Sequence, residues 1–190
     1  MRTTKLITLF SLLAFSLFSF DKMEEEKIAW RSDTKLEWKD FKGKPNKASG
    51  NAAMTDSGYG FETSELAEDS IKLTVVNFFY PKSSWVKLDI ATPKLLAHEQ
   101  CHFDITEMFT RKIRKQLLGS KFSRATLKSK LEKLFNKNQE QWKEFQEKYD
   151  SETEHSKIEK KQLEWQKKVQ KELNELDSFS NSELSVYVRH

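Results

Sequence analysis

His98-Glu99-Gln100-Cys101-His102 spells H-E-x-x-H, a spacing with a definite chemistry. On a helix, side chains four apart share one face, so two imidazoles there reach the same ion. Zinc suits them, being a borderline-soft cation that takes nitrogen donors tetrahedrally. Glu99 is turned by about 100° from His98 and does not ligate from that position. It is placed instead to hold and deprotonate a water and to pass the proton to a leaving amine. Such parts hydrolyse amide bonds, and one zinc ion is the cofactor they imply.

Two imidazoles leave a zinc site short of a ligand, and helical geometry excludes the nearest candidates. Relative to His98, Glu107 points about 180° away and Asp104 about 120° away, while Cys101 lies about 60° off on the side away from His102. Ile105 and Met108 stand where the longer H-E-x-x-H-x-x-G-x-x-H pattern has its glycine and distal histidine. The four histidines are His98, His102, His155 and His190. His155, in the polar stretch from Tyr149 onward, is the expected third ligand, with Asp150, Glu152, Glu154 and Glu159 as carboxylate alternatives. Tyr149 or Tyr59 could donate a hydrogen bond to a tetrahedral oxyanion. Tyr149 is counted with Glu99 as a catalytic candidate, although a buried tyrosine is more often a core residue with a satisfied hydroxyl. A helical histidine pair can also be plain surface or ordinary core. Here the shared face continues through Leu95, Ile105, Phe109 and Ile113, which turns the rings inward, and inward nitrogens without a metal need other partners.

The elements that must carry these residues read as a β-rich first half and a helical second half. Thr92-Pro93 is an N-cap followed by proline at the first helical position, opening a helix that Gly119 closes. Ile71–Tyr80 is the strongest strand, β-branched and aromatic up to Pro81. Trp85–Ile90 alternates as a half-buried strand, Ser57–Phe61 leads into another, and Ile28–Trp30 and Leu36–Trp38 are shorter strand-like pieces. A second helix carries Leu127, Leu131, Leu134, Trp142, Phe145 and Tyr149 on one stripe, and a third carries Ile158, Gln162, Trp165, Val169, Leu173 and Leu176. Ser156-x-x-Glu159 could form a capping box at its start. The five tryptophans are expected in the core or in groove walls. The expected fold is α+β, a small antiparallel sheet in the N-terminal half packed on long helices, with a zincin-like H-E-x-x-H helix. The sheet edge could bind an extended peptide by strand addition.

Composition narrows the classes. The 190 residues suit one domain, 27–177, followed by a tail, 178–190, whose Leu184–Val188 alternates as a last strand or a loose end. Five glycines and the lack of G-x-G-x-x-G argue against a nucleotide fold. The net charge of +4, with acids and bases interleaved, gives no support to nucleic-acid binding. The single cysteine forms no internal disulfide, and Cys101 is expected to be buried. Arg2 and Lys5 precede an apolar run from Leu6 to Phe20, which reads as a signal peptide over 1–20, or an uncleaved anchor. The run is shorter than the roughly 20 residues of a spanning helix. The expectation is a secreted or periplasmic protein with a peptide or protein substrate and no membrane contact beyond this segment. Oligomeric state is not legible.

Leu36-Glu37-Trp38-Lys39-Asp40-Phe41-Lys42-Gly43, Lys82–Val86, Leu95–Ile105 and Tyr149-Asp150-Ser151-Glu152-Thr153-Glu154-His155 together resemble a bacterial family of predicted secreted zinc-dependent proteases. The resemblance spans roughly Ile28 to Leu176 and implies that His98, Glu99, His102 and His155 belong to one site. This chain has Ser156 where the family often has glycine, and Cys101 where many relatives have glycine or leucine. A metal-stabilised binding module without turnover and a metal-free helical interaction protein are the rival readings.

Overall fold

A computed structural model describes residues 26–66 and 69–189, so the expected signal segment 1–20 lies outside the described residues. Strand β4 (Ser70–Phe79) is the spine of the sheet. Its alternate residues Ile71, Leu73, Val75 and Phe79 are buried, as a strand with one face on a core requires. One edge of β4 pairs along its length with antiparallel β3 (Ser57–Leu66); the other takes β1 (Ile28–Ala29) at Phe78–Phe79 and β7 (Glu183–Arg189) at Ser70–Thr74. The short β6 (Phe122–Ser123) pairs in parallel with β7. The C-terminal segment is therefore an internal strand: Leu184, Val186 and Val188 are buried beside β4. The fold is α+β, and its sheet draws strands from both halves of the chain.

Helix α1 (Pro93–Gly119) starts as the sequence indicates, with the Thr92 hydroxyl accepting from the Leu95 amide at 3.1 Å. Over its middle turns it is surrounded on every side. Ile113 and Leu117 meet the sheet together with Leu131 of α2 (Leu127–Thr153). Cys101, Ile105, Met108 and Phe109 meet Tyr149 of α2 and Trp165, Val169 and Leu173 of α3 (Glu159–Glu175). Leu95 and Phe103 pack into a third cluster with Leu36, Phe41, Ala53, Phe79 and Val86. A helix so enclosed can carry polar side chains only where other residues satisfy them.

A second, two-stranded sheet pairs β2 (Ala53–Met54) with β5 (Trp85–Val86). Gly43 braces it from behind. A Cβ at Gly43 would lie 2.7 Å from the Ser84 carbonyl oxygen, which instead accepts from the Gly43 amide at 2.8 Å. The Ser84 hydroxyl in turn accepts from the Asp56 amide at 2.9 Å, fixing the segment that follows β2.

Three local expectations need correction. The strand expected over Trp85–Ile90 stops at Val86, because β2 offers only two residues to pair with, and Leu88–Ile90 forms a 3₁₀ turn. The strand-like piece Leu36–Trp38 leads into a 3₁₀ turn at Trp38–Asp40, with Leu36 buried. The capping box at Ser156 does not form. Glu154, His155 and Ser156 all have positive φ (47°, 50° and 75°), and α3 begins after Ile158 without a side-chain cap.

Candidate metal centre

Helix α1 presents His98 and His102 toward the end of α2, and each ring is held from behind. His98 Nδ1 lies 3.0 Å from Gln162 Oε1, and His102 Nδ1 lies 2.6 Å from Gln146 Oε1. Both amides are themselves oriented. Gln162 Nε2 donates to the Tyr149 hydroxyl at 2.6 Å, and Gln146 Nε2 donates to the His102 carbonyl at 3.1 Å. An amide oxygen only accepts, so each Nδ1 carries the proton and each Nε2 turns a lone pair to the far side.

Those lone pairs converge. The two Nε2 atoms are 3.2 Å apart, and Asp150 Oδ1 is 3.0 Å from both. His155 Nδ1 is 3.3 Å from the same carboxylate oxygen. Ligand atoms of His98, Asp150 and His155 all fall within 4.8 Å of one another. Acceptors brought this close are stable only around a cation, either a second proton on an imidazole or a metal ion. The proton route leaves its mark on the titration. Burial alone would lower the His102 pKa, but its hydrogen bond to Asp150 and the charges of Glu99 and Asp150 raise it overall. Burial would raise Asp150, yet hydrogen bonds from His102 and His98 hold it well below the usual carboxylate range.

The donor set fits a metal as well. Zinc–nitrogen bonds of 2.0–2.1 Å in a tetrahedron set neighbouring nitrogens about 3.3 Å apart, and the observed separation is 3.2 Å. His98, His102, His155 and Asp150 are the residues that could hold the ion. Of the carboxylate alternatives, Glu152 accepts instead from Trp165 Nε1 at 2.9 Å, and Glu154 and Glu159 are exposed outside the group. Cys101 is buried against α3, and burial pushes its thiol up to about 12. Asp104 accepts from Trp30 Nε1 and Gln100 Nε2 away from the cluster. Glu107 faces a different interior, and His190 lies outside the described residues.

Glu99 is buried and opens on the same cleft, where the Thr55 hydroxyl donates to its Oε2 at 2.7 Å. The cleft holds about 100 Å³ and is bounded by Asn51–Thr55 on one side and by His98, His102, Asp150 and His155 on the other. Tyr149 does not line it. Its ring stacks on His98 at 4.6 Å, and its fully buried hydroxyl donates to the His98 carbonyl at 3.3 Å. Burial raises the Tyr149 pKa. Tyr59 sits between β3 and α2, its hydroxyl accepting from Asn138. The residues that sequence patterns did not single out for the site are Thr55, Gln146 and Gln162.

A family model described as a bacterial protein of unknown function, DUF922, matches residues 81–156. That stretch contains His98, Glu99, His102, Asp150 and His155 and stops short of Gln162. No curated protein and no solved structure matches the chain.

Proposed function

We propose that the protein is an exported zinc-dependent hydrolase, most simply a metallopeptidase. The observation that carries this reading is the approach of three imidazole nitrogens to one carboxylate oxygen of Asp150, with a second acidic group, Glu99, on the cleft beside them. When bound, zinc would supply the polarisation of a scissile carbonyl and the acidification of water that such hydrolysis needs. Glu99 accepts the proton of the attacking water and returns it to the leaving amine. Thr55 holds the Glu99 carboxylate in place, and Tyr149 positions His98 through Gln162 rather than touching the reacting atoms. Among the described residues β2 pairs only with β5, so the other edge of this cleft-wall strand suits the main chain of an extended peptide. Export rests on the charged and apolar N-terminal pattern, Arg2 to Phe20.

One observation favours a second reading, a metal-stabilised module without turnover. Structural zinc sites are closed by protein ligands alone, and Asp150 adds a carboxylate beside the imidazoles. Glu99→Gln separates the two. The hydrolase loses 10²–10⁴-fold of its activity on a peptide library while zinc per chain, by elemental analysis, stays at the wild-type level. Peptide cleavage unchanged in Glu99→Gln, or wild-type protein that holds zinc and cleaves nothing, removes the hydrolase.

A further inference from the structure

The four donors divide into a fixed pair and a free pair. His98 and His102 are clamped by Gln162 and Gln146, with side chains 2% and 13% exposed. Asp150 and His155 face the cleft at 30% and 50% exposed. Within the free pair, Asp150 holds the centre: its Oδ1 lies within 3.0–3.3 Å of all three imidazole nitrogens. The His98 and His102 Nε2 atoms, 3.2 Å apart, stand at the spacing of two nitrogens on one tetrahedral ion, about 3.3 Å, and Asp150 Oδ1 lies 3.0 Å from each. A catalytic zinc keeps one position for water or substrate, and a bound Asp150 carboxylate would compete for it.

We propose that Asp150 is an internal stopper. Its carboxylate would take a coordination position beside His98 and His102 in the resting protein, and an incoming peptide would displace it. The proposal rests on the metal-centre reading above and adds regulation to it. Rotation about the Asp150 side chain is sufficient for the exchange. Helix α2 need not move, because Tyr149, one residue earlier, is anchored in the core under His98. His98 and His102 keep their positions through the exchange, since neither of their amide clamps involves Asp150. The carboxylate also supplies negative charge that a water ligand would not, so the closed state is the less electrophilic one.

Cobalt substituted into the full chain gives a visible spectrum that reports an added ligand without any turnover. Azide is the probe. The wild-type spectrum is expected to resist azide, and Asp150→Ala to take it at a concentration at least about tenfold lower. If Asp150→Ala loses its cobalt, Asp150→Asn, which keeps the shape with a weaker donor, carries the comparison. Wild-type cobalt that takes azide as readily as the variant overturns the stopper and leaves the metal centre standing. Failure of wild-type protein to take up cobalt or zinc overturns both.

Discussion

Helix α1 buries two polar clusters three turns apart, and they solve the same problem in opposite ways. Around Glu107 the charges close on one another. Its carboxylate meets Arg111 Nε and Arg114 Nη1 at 3.0 Å each. Arg114 also donates to the carbonyls of Val75, Phe179 and Ser180, and Arg111 to that of Leu173. Charge meets charge and the guanidinium groups reach backbone acceptors, so the cluster pins the sheet and the end of α3 to α1. Around His98 the count fails: lone pairs face lone pairs, and a cation is required. A buried polar group with its partners present is architecture, whereas converging acceptors beside a cleft are equipment for binding. This difference, rather than burial or charge, distinguishes a site from a strut.

Removing the counter-charge from the closed cluster should have the largest effect. Glu107→Ala leaves the buried Arg114 without its carboxylate and Arg111 with only the carboxylate of Asp177 at 3.5 Å, and urea denaturation should show a loss of about 3–5 kcal/mol. The folded fraction should keep its metal stoichiometry, since no ligand is touched. Loss of metal without loss of stability would erase the contrast.

The open cluster should respond to pH instead. His102, with a raised pKa, binds metal only when deprotonated, so affinity should fall about tenfold per pH unit below that value, beginning above the ordinary imidazole pKa of about 6.5. Metal titrations in a pH series measure this. In the metal-free protein the sign reverses. A raised imidazole pKa stabilises the fold below about 6.5 and ceases to do so as pH rises through the folded value. Asp150, with a lowered pKa, stabilises above its unfolded value of about 3.9 and ceases to do so as pH falls through the folded one. The metal-free chain should therefore gain most from this cluster between about pH 3.9 and 6.5. A flat apo-stability profile across the range would contradict the proton route.

The smallest effect belongs to the turn that carries His155. Ser156 has φ 75°, a conformation that costs an L-residue roughly 1–2 kcal/mol and glycine little. Ser156→Gly should raise thermal stability by about 1 kcal/mol and leave metal content unchanged; destabilisation would show that the hydroxyl matters more than the strain.

Much of this was legible before any coordinates. The H-E-x-x-H spacing located two rings and the acid beside them, and elimination among four histidines reached His155. The Thr92–Gly119 boundaries followed from capping chemistry. Asp150 stood among four carboxylates because helical phase at the end of α2 was unknown while the turn was taken to begin near Tyr149. In fact α2 runs on to Thr153, which puts Asp150 on the inner face. Gln146 and Gln162 carry no motif, although a glutamine inside the apolar stripe of α3 was itself a sign that something buried needed an acceptor. The Glu107 cluster was invisible because no motif marks it and its arginines find their partners on distant segments, at Val75, Leu173 and Phe179.

The close approach at Gly43 extends the reach of the site well beyond its own residues. From the Gly43 amide to Ser84, from Ser84 to Asp56, and from neighbouring Thr55 to the Glu99 carboxylate runs an unbroken series of hydrogen bonds and one peptide link. A methyl group at position 43 would shove the 82–84 loop outward and carry the cleft wall with it. A random-mutagenesis screen for inactive protein should therefore recover lesions at Gly43 that mimic damage to the base, in a loop that touches no ligand.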